Sequence, residues 1–237
     1  MSTPLKRVPQ IIATVATHFC KPTYMRAIAK TTLDWDFIHR KGSLPSVSVY
    51  DLIKQPYQVS LTMMPSSYGV SPPMDLIVLG TLVHLVAPLA VFEFGTFTGM
   101  ATLCMAMNAL DETLIWTLDL PLDVGQASDT AVINSAWRGL PVADRITQLY
   151  EDSKTLDTAP YFKKMNFIFV DANHDYEFVV NDTAKAFEML APGGMIVWHD
   201  YTRAFPGVQR CLDDLGQSKS LHRVEGTQLV IYRDGQS

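Results

Sequence analysis

Five clusters of polar residues in this sequence could carry chemistry, and each of them directly follows a short apolar run. In open parallel sheets, ligands bind beyond the carboxyl ends of the strands. A sheet with a purely structural role has no reason to collect carboxylates at one edge, so the clusters together predict a ligand-binding site. They lie at residues 93–99, 119, 151–153, 171–175 and 199–201.

The first cluster reads Glu-Phe-Gly-Thr-Phe-Thr-Gly and holds two glycines, Gly95 and Gly99, four residues apart. Glycines let the backbone turn tightly and approach a ligand in front of a helix N-terminus. Phe97 occupies the central glycine position of a dinucleotide-binding motif, and no lysine follows as in a phosphate-binding loop. An acid beside backbone amides suits a sulfonium amino acid with a free ammonium and carboxylate. The alternative is a purely structural turn.

Asp119 closes the next apolar run, twenty residues beyond Gly99. An acid at this place in an α/β fold can accept hydrogen bonds from both hydroxyls of a ribose. Standing alone, Asp119 would be read as a helix cap or a turn former. Beside the glycine turn, the interpretation as a ribose ligand is favoured.

The elements that must position these clusters alternate between strands and helices. Apolar strands are expected at 89–92, 114–118, 146–150, 166–170 and 195–198, and helices at 71–86, 100–110, 127–138, 177–191 and 208–215. Residues 221–232 predict an antiparallel hairpin. The pattern is typical of an α/β, Rossmann-like, doubly wound and mostly parallel seven-stranded sheet with an antiparallel edge hairpin. We expect a helical and lid segment at 1–70 and the main domain at 71–237.

Composition excludes several classes of function. The 237 residues carry a net charge of −5 without a basic face, so a nucleic-acid partner is not expected. The three cysteines form no CxxC pair, and no signal peptide is evident, which together favour a cytoplasmic protein. Residues 76–92 hold no charged side chain, but Pro88 divides them into a buried helix and a buried strand, so no membrane span is expected.

Beyond these single features, the chain resembles the class I S-adenosylmethionine-dependent methyltransferases over roughly residues 71–232. Within them it is similar to the group of catechol O-methyltransferase-like, macrocin O-methyltransferase-like and cephalosporin-hydroxylase-like enzymes. The resemblance depends on the stretch 166–177, on Asp182, on the stretch 190–200 with Pro192-Gly193-Gly194 and His199-Asp200, and on residues 206–208.

The five polar clusters at the carboxyl ends of the strands are called the rim here. The resemblance implies a role for each part of the rim. The glycine turn would bind the methionine part of S-adenosylmethionine, Asp119 the ribose, and the third cluster the adenine edge. Asp171 would face the cofactor ammonium or a divalent metal. Related enzymes carry a serine where this chain has Ala101, and Thr98 or Thr102 would have to replace its hydroxyl. The implied cofactor-binding residues are Glu93, Gly95, Thr96, Phe97, Gly99, Asp119, Asp152, Ser153 and Asp171.

Two histidines are candidates for the general base. His174 occupies the position of the catalytic lysine of catechol-type relatives, and histidine takes up protons near neutral pH. His199 is the second candidate, with a role in orienting Asp200 as its alternative. Asp171 and Asp200 match two ligands of metal-dependent relatives and point to Mg²⁺, while Tyr201 stands at the third ligand position, where a phenol is a poor ligand.

The sequence therefore predicts an S-adenosylmethionine-dependent methyltransferase that methylates a hydroxyl of a small molecule, in keeping with secondary metabolism. Residues 57–70 would form an apolar lid with Met63, Met64, Pro65 and Tyr68, suited to a small apolar or aromatic acceptor. The segment before Tyr57 would complete the lid or form a homodimer interface. N- or C-methylation of a small molecule and a non-catalytic cofactor-binding scaffold are the alternatives.

Overall fold

The computed structural model describes residues 43–62, 71–121 and 136–235. Residues 43–237 form one compact unit, and residues 1–42 lie outside the described residues. Several predicted features also lie outside them: the N-terminal helices, residues 63–70 of the lid, and most of the helix at 127–138. Their outcome is not tested.

Among the described residues, eight strands form a single sheet in the order β1-β7-β8-β6-β5-β2-β3-β4. The chain runs outward from β2 through β3 to β4, then crosses back to β5 and β6 on the other side of β2. The point where the strand order reverses therefore lies between β2 and β5. The strands are β1 (Ser46–Val47), β2 (Ala90–Phe94), β3 (Leu114–Asp119), β4 (Ile146–Tyr150), β5 (Met165–Val170), β6 (Leu190–Trp198), β7 (His222–Val224) and β8 (Val230–Arg233).

The predicted Rossmann-like sheet is confirmed, with one more strand than expected. Strands β2 to β6 pair in parallel, whereas β8 pairs antiparallel with both β6 and β7. The hairpin is not the outermost element, because β1 pairs in parallel with β7 through Ser46 and Val47. A two-residue strand carries no hydrophobic periodicity, so sequence patterns could not indicate it.

Helices pack on both faces of the sheet. Helix α2 (Pro73–Val86) begins two residues later than predicted, with Pro72 at the N-cap position and no side-chain cap. Nearly all of its central residues are buried, which accounts for the charge-free run that precedes β2. None of the described helices is both long and apolar enough to cross a membrane. The helices are α1 (Val49–Leu52), α2 (Pro73–Val86), α3 (Met100–Asn108), α4 (Tyr176–Met189) and α5 (Pro206–Leu215).

Two hydrophobic cores separate the sheet from its two helical layers. Adjacent residues of a strand point to opposite faces. Accordingly Val91 belongs to the core under α2 and α3, whereas Phe92 belongs to the core under α4 and α5. Both side chains are fully buried. Covering both faces leaves the carboxyl ends of the parallel strands as the edge where polar groups can meet a ligand.

Candidate active site

The glycine turn leaves β2 and enters α3 through two left-handed glycines, Gly95 with φ 93° and Gly99 with φ 82°. A Cβ on Gly95 would lie 2.0 Å from the carbonyl oxygen of Asp171, and one on Gly99 would lie 2.0 Å from the ring of Trp137. Neither position could hold a side chain without moving its neighbours. The turn is thereby pressed against the exit of β5, so the first and fourth predicted clusters meet.

Asp119 ties the end of β3 to this turn. Its Oδ2 accepts a hydrogen bond from the backbone N–H of Phe97 at 2.7 Å, and its Oδ1 accepts one from the N–H of Leu120 at 2.8 Å. Each carboxylate oxygen has two lone pairs, so each retains an acceptor site beyond these amides. Phe97 is 45% exposed on the turn. The carboxylate is thus fixed in place and still able to accept from two hydroxyls.

Glu93 lies beneath the turn rather than on its open surface. Its side chain is fully buried, and Oε2 accepts hydrogen bonds from the hydroxyls of Thr102 and, at 2.6 Å, Thr117. Burial raises the pKa of Glu93 from 4.5 to about 8, although the two hydroxyls lower it. Thr96 is also buried and contacts Thr117 at 2.6 Å. The carboxyl of Glu93 is therefore not exposed for the direct contact with a ligand that the sequence predicted.

Across the strand-order reversal, β5 and β6 end in a compact group of three side chains. Each of Asp171, His174 and Asp200 offers one side-chain oxygen or nitrogen that could bind a metal, and these three atoms lie within 4.8 Å of one another. His174 Nε2 lies 2.8 Å from Asp200 Oδ2, and the His174 ring stacks on Phe205 with the centroids 4.1 Å apart. Asp200 adopts the left-handed conformation with φ 60°, an uncommon one for a non-glycine residue.

His199 is buried behind this group and contacts carboxylates through both ring nitrogens. Its Nε2 lies 2.8 Å from Asp75 Oδ2, and its Nδ1 lies 3.2 Å from Asp171 Oδ1 and 3.4 Å from Asp200 Oδ1. Burial acts to lower the pKa of His199, but attraction to Asp171 and hydrogen bonds to all three acids raise it well above 6.5. The imidazole therefore bridges α2 and the strand exits, and its carboxylate neighbours favour its protonated form.

The same neighbours act on Asp200 in the opposite direction. Burial alone would raise the pKa of this carboxyl, but hydrogen bonds with His174 and His199 hold it well below its usual range. A small cavity of about 10 Å³, room for about one water molecule, adjoins the group. Its lining residues include Asp171, His174, His199, Val170, Trp198 and Val208.

Comparisons with known proteins bear directly on this rim. Residues 92–201, from β2 to the exit of β6, match a family model described as a methyltransferase domain. This part of the chain is a methyltransferase domain. The sequence resemblance implied such a domain, with S-adenosylmethionine as its methyl donor.

Solved structures of methyltransferases share the fold at low identity. The O-methyltransferase TomG from Streptomyces achromogenes, involved in tomaymycin synthesis and bound to S-adenosylmethionine, is 19% identical with a TM-score of 0.54, over 70% of this chain and 82% of that chain. An O-methyltransferase from Bacillus cereus bound to S-adenosylhomocysteine is 17% identical with a TM-score of 0.54, over 71% and 84%. Cofactor-bound Rv0187 from MTB is 19% identical with a TM-score of 0.57, over 72% and 84%. No curated protein sequence matches the chain significantly.

The third predicted cluster of the methyltransferase turns toward α4. Asp152 Oδ1 accepts from the N–H of Lys154 at 2.8 Å, which forms a local turn. Ser153 Oγ lies 3.4 Å from Asn181 Nδ2 on α4. Asp152 and Ser153 follow β4, whose Glu151 N–H donates to the Asp119 carbonyl at 3.0 Å. The loop thus begins beside the predicted ribose ligand, and its side chains serve contacts within the protein.

Two groups that related enzymes use on the rim, a serine hydroxyl and a third metal ligand, are not replaced by the residues that the sequence offered. The Thr102 hydroxyl is bonded to Glu93, and Thr98 is buried, so neither obviously replaces the serine lost at Ala101. Tyr201 is buried, and its hydroxyl donates to Asp213 Oδ1 at 2.5 Å. The third place beside Asp171 and Asp200 is therefore taken by His174 instead.

Sequence reasoning missed the contribution of Asp75 to this methyltransferase site. Asp75 lies 124 positions before His199, outside the matched residues 92–201. A signal was present, because Asp75 is an acid at the start of an otherwise apolar helix. A buried carboxylate requires a partner, and the sequence did not indicate which one.

Proposed function

We propose that this methyltransferase transfers the methyl group of S-adenosylmethionine to a hydroxyl of a small molecule, with His174 as the general base. The observation that supports this most directly is the pair of His174 and Asp200 at the exits of β5 and β6, 2.8 Å apart. In-line transfer to oxygen requires alignment of the acceptor and removal of its proton.

The geometry favours His174 over His199 for this role. The side chain of His174 is 37% exposed, whereas that of His199 is 5% exposed. With Nε2 beside the Asp200 carboxylate, Nδ1 of His174 can take up a proton, and the carboxylate stabilises the imidazolium that forms. His199 already bridges carboxylates through both nitrogens. It serves better as the residue that orients Asp200, which was its alternative role.

The rim offers the groups that S-adenosylmethionine requires. Asp119 provides acceptors for the ribose hydroxyls, and Asp171 provides a carboxylate for the ammonium. Gly95 allows close approach, Phe97 presents its exposed ring, and the N-terminus of α3 supplies backbone amides. The buried Glu93 and Thr96 support the turn from below. Asp152 and Ser153 are proposed to lie along the adenine edge. When bound, S-adenosylmethionine supplies an activated methyl group.

The same three side chains fit a divalent metal in chemistry and spacing. Asp171, His174 and Asp200 together present two carboxylates and one imidazole within 4.8 Å. Carboxylates suit Mg²⁺, whereas an imidazole is more typical of transition-metal sites. A bound ion would supply Lewis-acid polarisation of the acceptor oxygen. In that alternative, His174 is a ligand and Asp171 and Asp200 hold the ion.

Transfer of a radiolabelled methyl group to a panel of phenols, catechols and amines tests the role of His174. His174→Gln should lower kcat by about 10²–10⁴-fold while S-adenosylhomocysteine still binds in calorimetry. The matched control is His222→Gln in β7, which should retain activity. Full activity of His174→Gln would rule out the general-base role, and labelling of amines alone would rule out O-methylation.

A chelator separates the base from the metal alternative. Activity that survives prolonged EDTA treatment supports direct proton transfer to His174. Activity that EDTA abolishes and added Mg²⁺ or Mn²⁺ restores supports the metal alternative. In that case Asp171→Asn should raise the metal concentration needed for half-maximal restoration.

The wider setting of the enzyme is part of the same proposal. The involvement of TomG in tomaymycin synthesis supports secondary metabolism as the context. We propose a cytoplasmic enzyme with a helical and lid segment at 1–70, a methyltransferase domain at 71–237, and a homodimer built through residues before Tyr57. Light scattering of the full chain and of a chain lacking residues 1–42 would test the homodimer, because only the full chain should have twice the mass of one chain.

A further inference from the structure

The N-terminal turn of α2 contributes one buried acid to the site. Asp75 is 3% exposed, and its Oδ2 accepts from His199 Nε2 at 2.8 Å and from the N–H of Gln228 at 3.3 Å. Gln228 in turn accepts at its carbonyl from the N–H of Tyr201 at 3.0 Å. One carboxylate therefore links α2 to Gln228, two residues before β8, and Gln228 contacts the exit of β6.

The far side of the His199 ring faces the two acids that serve the reaction. Its Nδ1 lies 3.2 Å from Asp171 and 3.4 Å from Asp200. An imidazole moves mainly by rotation about χ1 and χ2. Fixing Nε2 on Asp75 therefore fixes where Nδ1 points, and with it the separation of the two carboxylates.

We propose that Asp75 is a positioning residue of this methyltransferase, acting through His199 to hold Asp171 and Asp200 in place. The inference rests on the proposed function only in assigning those two acids to the reaction. Burying a carboxylate in an apolar helix costs free energy, and an apolar side chain of similar size would serve packing at least as well. The geometry assigns the carboxylate to alignment instead of packing.

Two substitutions separate the hydrogen bond from the packing. Asp75→Asn keeps an oxygen that can accept from His199, and its kcat should stay within about threefold of the wild type. Asp75→Leu fills the space without an acceptor. Its kcat should fall by about 10–100-fold, the range typical when a residue that orients a site residue by a hydrogen bond is removed. Thr81→Val is the matched control, because Thr81 lies on the same helix, is also 3% exposed, and bonds only locally to Ile77 O. Its kcat should be unchanged.

Two further measurements do not depend on turnover. Thermal unfolding should show Asp75→Leu folded, and if it is not, Asp75→Ala takes its place. Nitrogen NMR of the histidine rings should show the His199 signals shifted in Asp75→Leu and close to wild type in Asp75→Asn. Wild-type kcat in Asp75→Leu, or unshifted His199 signals, would overturn the proposal. If no acceptor is methylated by any form, the proposed function fails while the NMR shift still supports the alignment role.

Discussion

Both halves of the rim contain two acidic residues, but the surroundings of these acids differ between the halves. Around β2 and β3, Glu93 and Asp119 contact threonine hydroxyls and backbone amides, which are neutral donors. Around β5 and β6, Asp171 and Asp200 contact histidine rings. The neighbours decide the outcome: the pKa of Glu93 rises to about 8, whereas that of Asp200 falls well below its usual range.

This difference indicates a division of labour along one sheet edge. The β2–β3 half is built from buried hydroxyls and left-handed glycines, and it is suited to holding a ligand by shape and hydrogen bonds. The β5–β6 half concentrates charge, and it is suited to moving a proton or binding a cation. The two halves meet where Gly95 approaches the carbonyl of Asp171.

Gly95→Ala should have the largest effect, because it acts at the junction of the halves. A Cβ there meets a backbone oxygen at 2.0 Å on a residue with φ 93°, so strain and overpacking combine. We expect the free energy of unfolding to fall by about 2–5 kcal/mol in denaturant titrations. Gly193→Ala is the control, because its φ is 76° but nothing lies within 4 Å. It should lose only about 1–2 kcal/mol, and equal losses would mean that the junction is not tightly packed.

Glu93→Gln tests whether the β2–β3 half holds a neutral acid. In the folded protein the raised pKa keeps the proton on Glu93 above pH 4.5, whereas the unfolded chain releases it near its ordinary pKa. Stability from this group is therefore full below about pH 4.5 and is lost as the pH rises toward 8. The slope approaches about 1.4 kcal/mol per pH unit.

Denaturant titrations from pH 5 to pH 9 would measure that slope. The wild type should lose stability between pH 5 and pH 8, and Glu93→Gln should lose clearly less. The slope that remains in Glu93→Gln above pH 6.5 is expected from the raised pKa of His199. Glu112→Gln, an exposed acid in the turn before β3, should follow the wild type. If the free energy of unfolding of the wild type does not change between pH 5 and pH 8, Glu93 is ionised in the folded protein. The β2–β3 half would then not hold a neutral acid.

Much of this arrangement could be predicted because parallel strands impose it. The exits of β2, β3, β5 and β6 lie on one edge, so Glu93, Asp119, Asp171 and Asp200 could be grouped from their positions alone. The strand bounds agree within two residues except for β6, which begins at Leu190 and pairs with Met165 before a register shift. An apolar run shows where a strand lies, but it carries little information about such a bulge.

The contacts of individual side chains could not be predicted in the same way. Whether Glu93 faces the rim or the core depends on Thr102 and Thr117, which come from two other elements. The bond from Asp75 to His199 depends on how α2 packs on the sheet, across 124 positions of sequence. Long-range packing of this kind leaves no periodic trace in the sequence.

Asp119→Ala should weaken the ligand-holding half without changing the charged half. Loss of a carboxylate that binds hydroxyls and anchors the N–H of Phe97 should lower the affinity for S-adenosylhomocysteine by about 10–100-fold in calorimetry, or about 1–3 kcal/mol. Asp111→Ala, at the opposite end of β3, is the control and should bind normally. If Asp119→Ala also binds normally, the ribose role is wrong.

Ala101→Ser should have the smallest effect and would sharpen the comparison further. Ala101 is the second residue of α3, where related enzymes carry a serine, and the hydroxyl of neighbouring Thr102 is committed to Glu93. A hydroxyl at 101 would add one neutral hydrogen bond to the cofactor carboxylate, so the affinity for S-adenosylhomocysteine should rise about 2–5-fold. Ala106→Ser on the same helix is fully buried in the core and should lower stability without changing the affinity. An unchanged affinity in Ala101→Ser would mean that the carboxylate is bound elsewhere on the rim and that the start of α3 is not its contact.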